Sequence, residues 1–391
     1  MFEGWSSPES ALEERAAGVA AHGRDAVVAD LAEHLEQGAD DRYRLRFHVP
    51  AVVAGWGEMC APLPSLPEPR PTAPGWRPHA VLGTLRRDRR ARGPVPRMTT
   101  PPLDYAACRA RFRHAATVAG ATLHSAPIDG AGPDGADLTI DVALLGPAQP
   151  ERLLVLLSGV HGVEGFVGSA IQCDLLEAPP ALPPRTGVLL VHAVNPWGMA
   201  WLRRQNEHNV DLNRNWARSR TPFPANPDYA DLHPDLCPAD LGDTREFLTR
   251  MQAHVDRLGL ARVAAAISGG QDTHPDGMHY AGVTTEDSNL LLAATLPGLA
   301  DPSGALREVL VVDLHTGEGG PGEVVLLAGG PAGSPNHEWL VARFGTDAVR
   351  ATDGSTPGRI APGVASCWPG AAHHLDRKST RLNSSHFVPS R

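Results

Sequence analysis

The stretch Arg152–Gly165, RLLVLLSGVHGVEG, decides the fold because it joins a buried strand to a turn that carries two ionisable side chains. Its first part, Arg152–Val160, is apolar at most positions, as expected for a parallel strand with both faces covered. The turn then places His161 and Glu164 three residues apart, and side chains at this spacing meet where the chain turns helically. The stretch therefore predicts a central strand whose carboxyl end carries a pair of metal ligands.

A second apolar strand ends in a similar way. Arg307–Asp313 reads REVLVVD, and Asp313–Gly317 reads DLHTG, so His315 also follows a strand. Zinc binds nitrogen and oxygen donors, and a catalytic zinc site has three protein ligands and one open position. We expect His161, Glu164 and His315 to hold one zinc ion. Asp313 is either a carboxylate that orients an imidazole or a cap at the end of the strand.

Two more motifs lie between these strands. Asn195–Gly198 reads NPWG and leads to Arg203 and Arg204, and Val210–Asn215 reads VDLNRN. An HxxE spacing alone has little weight in a chain with 18 histidines and 44 acidic residues, because chance matches are expected. The three clusters HGVEG, VDLNRN and DLHTG together, in this order, are much more specific.

This combination resembles the zinc carboxypeptidases of the carboxypeptidase A type, and more closely an uncharacterised bacterial branch of that superfamily. The resemblance covers the chain from about Met98 to the early 370s. It implies that Arg204, or less favourably its neighbour Arg203, polarises the carbonyl under attack. It also implies that Asn213 and Arg214 grip the terminal carboxylate of a substrate, although a turn residue and a surface ion pair are the simpler interpretations of each residue alone.

The resemblance further implies a general-base glutamate on a strand downstream of the third ligand, and this chain offers no good candidate there. Glu318 and Glu323 are weak fallback bases, each more typical of a loop or a strand edge. From Asp376 the sequence reads DRKSTRLNSSHFVPSR, which is basic, serine-rich and similar to translated sequencing-adapter sequence. We therefore expect a zinc carboxypeptidase-like domain at 98–375, truncated at its C-terminal end, and a non-native tail at 376–391.

The first part of the chain, 1–97, is rich in proline, arginine and alanine and reads as an extension that is partly disordered or starts at the wrong codon. The rest alternates helical and strand patterns, with Asp137–Leu145 alternating like an edge strand. Alternation of this kind predicts an α/β fold with a mixed, mostly parallel central sheet and helices on both faces. The resemblance implies the carboxypeptidase-like, phosphorylase/hydrolase-type version of this fold.

Charge and composition argue against some classes of function. A net charge of −9 and an isoelectric point near 6.0 argue against nucleic acid as the main partner. No apolar run reaches the roughly 18 residues that cross a bilayer, and the first residues lack the pattern of a secretory signal, so we expect a cytoplasmic protein without a membrane partner. In the loop Ser268–Tyr280, His274 or Tyr280 is a candidate for substrate binding, and a turn-stabilising role is the alternative.

These observations predict a zinc-dependent hydrolase that cleaves a peptide or amide bond next to a free carboxylate, with a small peptide as substrate. A close alternative is deacylation of N-acyl amino acids, as in the succinylglutamate desuccinylase and aspartoacylase group, which the DLNR and DLHT segments also resemble. A third possibility belongs to another class: a non-catalytic zinc-binding domain, or a truncated copy without activity.

Overall fold

The computed structural model describes residues 35–37, 43–45, 104–238, 244–316, 324–352 and 356–380. Most of the predicted extension at 1–97 lies outside these ranges, as does the end of the predicted tail. The chain divides into two compact units. The first comprises Met1–Pro62 and Pro227–Ile267, and the second comprises Leu63–Asn226 and Ser268–Arg391.

The described strands are β1 Leu35–Gln37, β2 Tyr43–Leu45, β3 Thr122–Ala131, β4 Asp137–Leu145, β5 Arg152–Ser158, β6 Thr186–His192, β7 Glu308–His315, β8 Val324–Ala328, β9 Val349–Ala351 and β10 Ala372–Thr380. The described helices are α1 Tyr105–Val118, α2 Gly165–Glu177, α3 Pro196–Ala200, α4 Pro227–Leu236, α5 Thr244–Leu258, α6 Leu260–Ser268, α7 Asp287–Ala300, α8 Pro335–Phe344 and α9 Ile360–Ala365. Short 3₁₀ turns follow at Gly162–Glu164, Leu212–Arg214 and Thr346–Ala348.

The first unit contains the antiparallel pair β1–β2 and most of three helices, α4 to α6. Ion pairs connect the helices: Asp235 on α4 contacts His254 on α5 at 2.8 Å, and Asp228 on α4 contacts Arg262 at the start of α6 at 2.6 Å. These pairs lie at or near the surface, where solvent screening leaves ion pairs with only a small effect on stability.

The second unit is built on an eight-stranded sheet in the order β3-β4-β6-β5-β7-β10-β8-β9. Its centre is parallel, because β6, β5, β7 and β10 run in one direction. The strands β3 and β4 are antiparallel to their neighbours, and β8 pairs antiparallel with β10 and parallel with β9. The prediction of an α/β fold with a mixed central sheet is confirmed.

Helices cover both faces of this sheet. Along β5, Leu153, Val155 and Leu157 join one buried cluster, which includes side chains of α7 and α9. Leu154 and Leu156 join the other cluster, with α2 and α8. Successive side chains of β5 therefore pack into two different cores, one on each face of the sheet. This explains the continuous apolar run in the sequence. Within the described residues, none of the helices is both long and apolar enough to cross a membrane.

The strand β4 has the predicted bounds but not the predicted edge position. It lies between β3 and β6, and eight of its nine residues are buried. Thr139 and Asp141 give the sequence its edge-like alternation, yet both are buried. Asp141 accepts from Arg109 at 3.0 Å and from Arg113 at 3.1 Å, and this pairing makes burial of its charge tolerable.

The last strand crosses the predicted domain boundary. β10 runs from Ala372 to Thr380, and its backbone pairs with β7 on one side and β8 on the other. The sheet therefore continues past Leu375, into the segment that the sequence assigned to a non-native tail. The origin of that segment stays a prediction.

His192 ends β6 and is a buried core residue. Its ring stacks on Phe112 with centroids 4.7 Å apart, and Nε2 lies 2.9 Å from Oγ of Ser169. Burial lowers the pKa of His192 to about 4, so the imidazole is neutral in the folded protein at neutral pH.

We expect this histidine to make the protein sensitive to mild acid. The unfolded chain takes up its proton near pH 6.5 and the folded chain only near pH 4, so the folded state loses stability as pH falls through this window. His192 should contribute about 1.4 kcal/mol per pH unit to this loss. Urea unfolding at pH 7, 6 and 5 should show a shallower pH dependence for His192→Asn than for wild type. His114→Asn, at an exposed position on α1, is the control, and equal slopes for all three proteins would contradict the expectation.

Candidate metal centre

Three buried side chains meet at the carboxyl ends of β5 and β7. His161 follows β5 and precedes the 3₁₀ turn Gly162–Glu164, which brings Glu164 back to the same side. His315 is the last residue of β7, next to β5 in the sheet. These side chains are hardly exposed, at 1%, 8% and 1% of their residues' surface for His161, Glu164 and His315. The structure thus brings together the ligand set predicted from sequence.

The separations of their donor atoms fit a shared cation. Nδ1 of His161 lies 2.8 Å from Oε1 of Glu164 and 3.1 Å from Nδ1 of His315. Nδ1 of His315 lies 3.3 Å from Oε2 of Glu164. Two ligands of one tetrahedral zinc ion are about 3.3 Å apart, so these distances are slightly short but of the right size. The three residues form a candidate metal site.

Two further carboxylates orient the imidazoles. Nε2 of His315 lies 2.5 Å from Oδ2 of Asp313, and Nε2 of His161 lies 3.2 Å from Oδ1 of Asp211. When each Nε2–H donates to its carboxylate, both Nδ1 atoms present lone pairs to the same point. Two facing lone pairs repel unless a positive charge lies between them. The donor set therefore fits a divalent cation.

The charges around the ligands favour ionised carboxylates. Burial alone would raise the pKa of Glu164, but the neighbouring His161 and His315 outweigh it and hold the pKa well below its usual range. Burial alone would also raise the pKa of Asp211. The neighbouring His161 and Arg204 outweigh this effect and hold the pKa of Asp211 well below its usual range. An ionised Glu164 is the form that coordinates a metal.

Arg204 extends into the cluster, whereas the side chain of Arg203 is exposed. The guanidinium of Arg204 lies 3.4 Å from both Glu164 and Asp211, and its Nη2 lies 2.9 Å from Nε2 of His161. A cation on Nδ1 of His161 leaves the proton on Nε2, so the favourable contacts of Arg204 are then those with the two carboxylates. About a third of its side chain, 31%, stays exposed.

Asn213 and Arg214 lie in the 3₁₀ turn that follows Asp211, and both are buried. Asn213 accepts a hydrogen bond from the backbone of Ile360 at 3.0 Å, which connects the turn to α9. Arg214 donates to the carbonyl oxygens of Asn213 at 2.9 Å and Ser268 at 2.5 Å. These two bonds hold the guanidinium of Arg214 against the backbone.

The loop with two histidines brings a different one to the centre than the sequence favoured. His274 caps its own turn: its backbone N–H donates to Gln271 at 2.7 Å, and its Nδ1 lies 2.8 Å from the hydroxyl of Thr273. His279 is buried and lies 3.1 Å from Asp211 through its Nδ1. Substrate binding by His274 stays a prediction, and the position of His279 was missed. Glu318 and Glu323, the predicted fallback bases, lie outside the described residues.

A second group of ionisable side chains, Glu207, His208 and Glu286, was not singled out by the sequence. His208 pairs with Glu286 at 2.7 Å, and this hydrogen bond raises the pKa of His208. Asn206 donates to the same carboxylate at 2.6 Å. Glu286 immediately precedes α7. Its hydrogen bonds with Asn206 and His208 therefore connect the loop after Arg204 to the start of that helix.

The fold and the site together define an α/β domain with a candidate metal centre of two histidines and one glutamate at the ends of parallel strands. The chain belongs to the family described as "Protein of unknown function (DUF2817)", whose model matches residues 103–382. The match extends past Leu375, as β10 does. No curated protein matches the chain.

Several solved structures are similar to this chain at low identity. A candidate metallopeptidase from Shewanella baltica is 14% identical with a TM-score of 0.40, over 73% of this chain and 87% of that one. Bovine thrombin-activatable fibrinolysis inhibitor, solved with a tick carboxypeptidase inhibitor, is 13% identical with a TM-score of 0.43, over 73% and 89%. A succinylglutamate desuccinylase from a Silicibacter species is 12% identical with a TM-score of 0.36, over 66% and 59%.

Proposed function

We propose that the protein is a metal-dependent hydrolase that binds one zinc ion and cleaves a peptide or amide bond next to a free carboxylate. One observation carries this proposal: in a buried site, the Nδ1 atoms of His161 and His315 lie 3.1 Å apart, and each lies within 3.3 Å of a carboxylate oxygen of Glu164. Three protein ligands of this kind are typical of catalytic rather than structural zinc sites. A cation held there lowers the pKa of a water molecule that it binds and polarises a carbonyl group.

Arg204 supplies a second positive charge beside the ligands. Its contacts with Glu164 and Asp211 at 3.4 Å are long for charge-assisted hydrogen bonds, so they leave the guanidinium able to donate to another acceptor. Negative charge that develops on the oxygen of an attacked carbonyl is stabilised by a donor that is already in place. We assign this role to Arg204.

Arg214 and Asn213 are proposed to bind the free carboxylate of the substrate. The backbone bonds to Asn213 and Ser268 fix the guanidinium plane of Arg214, and a planar guanidinium matches the two oxygens of a carboxylate. Fixing a long side chain in advance lowers the entropy cost of ligand binding. This geometry favours substrates with a terminal carboxylate over their amides.

The carboxylates described at the centre are all engaged. Glu164 is a proposed ligand, while Asp211 and Asp313 contact the outer nitrogens of the two histidines. None of these three is proposed as the general base. We assign the role of general base to none of the described side chains. Glu318 remains the fallback that the sequence suggested.

Hydrolysis by the zinc-loaded protein tests the proposal. We expect metal-dependent release of amino acids from short peptides with a free carboxyl end, and none from the same peptides as C-terminal amides. Faster cleavage of N-acyl amino acids would favour the deacylase alternative. Binding of one zinc ion without cleavage of either substrate set would overturn the hydrolase and leave the non-catalytic zinc-binding domain.

Arg214→Ala should weaken the binding of carboxylate ligands by at least about tenfold, because it removes a charge-assisted, two-point hydrogen bond. The measurement is isothermal titration calorimetry of the zinc-loaded protein with an N-acetyl amino acid and with its amide, which requires no turnover. The amide should bind weakly and equally to both proteins. Equal losses for acid and amide would contradict a carboxylate clamp and point to a general effect of removing the bonds to Asn213 and Ser268.

A further inference from the structure

His279 lies beside the metal centre, next to Asp211. It belongs to a loop that is far in sequence from every proposed ligand. Its residue is only 9% exposed, and its Nδ1 lies 3.1 Å from Oδ2 of Asp211. The other oxygen of Asp211, Oδ1, lies 3.2 Å from Nε2 of His161. Asp211 thus stands between two imidazoles, one of which is a proposed metal ligand.

Asp211 has a second set of contacts that limits how its carboxylate can turn. Oδ1 also accepts from the backbone N–H of Asn213 at 2.9 Å, and Oδ2 lies 3.4 Å from Arg204. If His279 were absent, Oδ2 would keep only the long contact with Arg204. Since a carboxylate rotates as one plane, loss of the contact at Oδ2 also loosens the one at Oδ1.

The backbone at His279 adopts a left-handed conformation with φ of 51°. Residues other than glycine rarely adopt it, and they keep it only where the surroundings impose it. The surroundings here are three hydrogen bonds: Gln271 N–H to the His279 carbonyl at 3.2 Å, Ala281 N–H to Gln271 at 2.8 Å, and Asp211 N–H to Tyr280 at 2.7 Å. The last of these joins the backbone of the loop to Asp211 itself.

The protonation of His279 suits a donor role. Burial, assisted by the nearby Arg204, lowers the pKa of His279 to about 4, so the imidazole is neutral at neutral pH and has a single N–H. An ionised aspartate only accepts hydrogen bonds. The N–H must therefore be on Nδ1, facing Asp211.

We infer that His279 is a positioning residue for the metal centre: it donates from Nδ1 to Asp211 and thereby holds the carboxylate that orients His161 toward the shared cation. The inference rests on the metal centre in the proposed function and concerns metal binding rather than turnover. Partners beyond the ligand shell commonly change metal affinity by about 10- to 100-fold, and here the effect passes through Asp211.

Two substitutions at this position separate the hydrogen bond from the backbone. His279→Asn places an amide N–H close to where Nδ1 stood, and asparagine tolerates the left-handed conformation. His279→Gly keeps that conformation and removes the donor. We expect His279→Asn to preserve the affinity for Co²⁺ within about threefold and His279→Gly to weaken it by about tenfold or more, measured by competition with a chelator. The visible absorption spectrum of bound Co²⁺ should change in His279→Gly and should resemble that of the wild type in His279→Asn.

Asn209→Gly is the matched control for loop anchoring. Asn209 also has a left-handed backbone, and its side chain donates to the carbonyls of Pro275 at 2.8 Å and Gly277 at 3.0 Å in the same loop. Its loss should lower the melting temperature and leave the affinity and spectrum of Co²⁺ unchanged. Wild-type affinity in His279→Gly, or an equal loss in Asn209→Gly, would overturn the positioning role alone. Failure of the wild-type protein to bind one Co²⁺ would overturn the metal centre as well.

Discussion

Replacing His315 with alanine should abolish stoichiometric metal binding. Wild type should retain close to one zinc ion per chain after dialysis, and His315→Ala close to none, with an affinity lower by more than about 100-fold. The reason is geometric. His315 contributes one of three donors that face a common point, at 3.1 Å from His161 and 3.3 Å from Glu164, and two ligands alone hold zinc weakly. Atomic emission spectroscopy of the purified protein gives the stoichiometry.

The same experiment on His161→Ala should give the same result, because its Nδ1 faces the same point. His114→Ala, at an exposed position on α1, is the control for loss of any surface histidine. Melting temperatures in the presence of a chelator show whether each variant still folds. Full metal content in a folded His315→Ala protein would remove His315 from the ligand set, and an equal loss in the control would show that wild-type zinc is bound nonspecifically.

The core of the candidate site could be predicted because it depends on local patterns. β5 and β7 are buried on both faces, so their apolar runs are visible in the sequence. Parallel neighbours end at the same edge of a sheet, and this rule alone brings His161 and His315 together across 154 positions. The side chains of His161 and Glu164 converge through a single turn of 3₁₀ helix.

The support around this site could not be predicted in the same way. His279 and His274 lie in one loop without apolar periodicity, and nothing in their local sequence separates them. The contact between His279 and Asp211 spans 68 positions and depends on a left-handed backbone that other parts of the loop impose. Neither a propensity nor a spacing rule encodes such a contact.

The position of β4 inside the sheet could not be predicted from the sequence, for a related reason. The pattern of Asp137–Leu145 suggested a half-exposed strand because Thr139 and Asp141 alternate with apolar residues. Only the tertiary structure shows that Arg109 and Arg113 on α1 neutralise Asp141 and that β3 covers the outer side. A polar residue in a strand pattern marks either solvent or a buried partner, and the sequence of the strand alone does not distinguish them.

Gly162, between the two ligands of the HxxE motif, shows how closely the site depends on packing. In the structure a Cβ at this position would lie 2.0 Å from the carbonyl carbon of Gly198 and 2.3 Å from the backbone nitrogen of Met199. The glycine is therefore required by the approach of α3.

Neither backbone can easily move away. Gly162 N–H donates to the carbonyl of Arg204 at 3.3 Å, which holds the ligand turn in place. On the other side, Gly198 N–H donates to the side chain of Asn195 at 2.7 Å, and the Gly198 carbonyl accepts from Arg203 at 2.7 Å. The NPWG motif thus builds a short helix whose backbone packs directly against the turn that carries His161 and Glu164.

Gly162→Ala should therefore cost about 3 kcal/mol or more in the free energy of unfolding, and it should reduce zinc binding because any relief of the clash displaces both ligands. Gly298→Ala is the matched control. Gly298 lies within α7, and a Cβ there would meet no heavy atom within 4 Å, so alanine should stabilise the helix by about 0.5–1 kcal/mol. Urea unfolding and zinc stoichiometry measure both effects. A Gly162→Ala protein with wild-type stability would show that α3 does not approach the ligand turn as closely as these distances require.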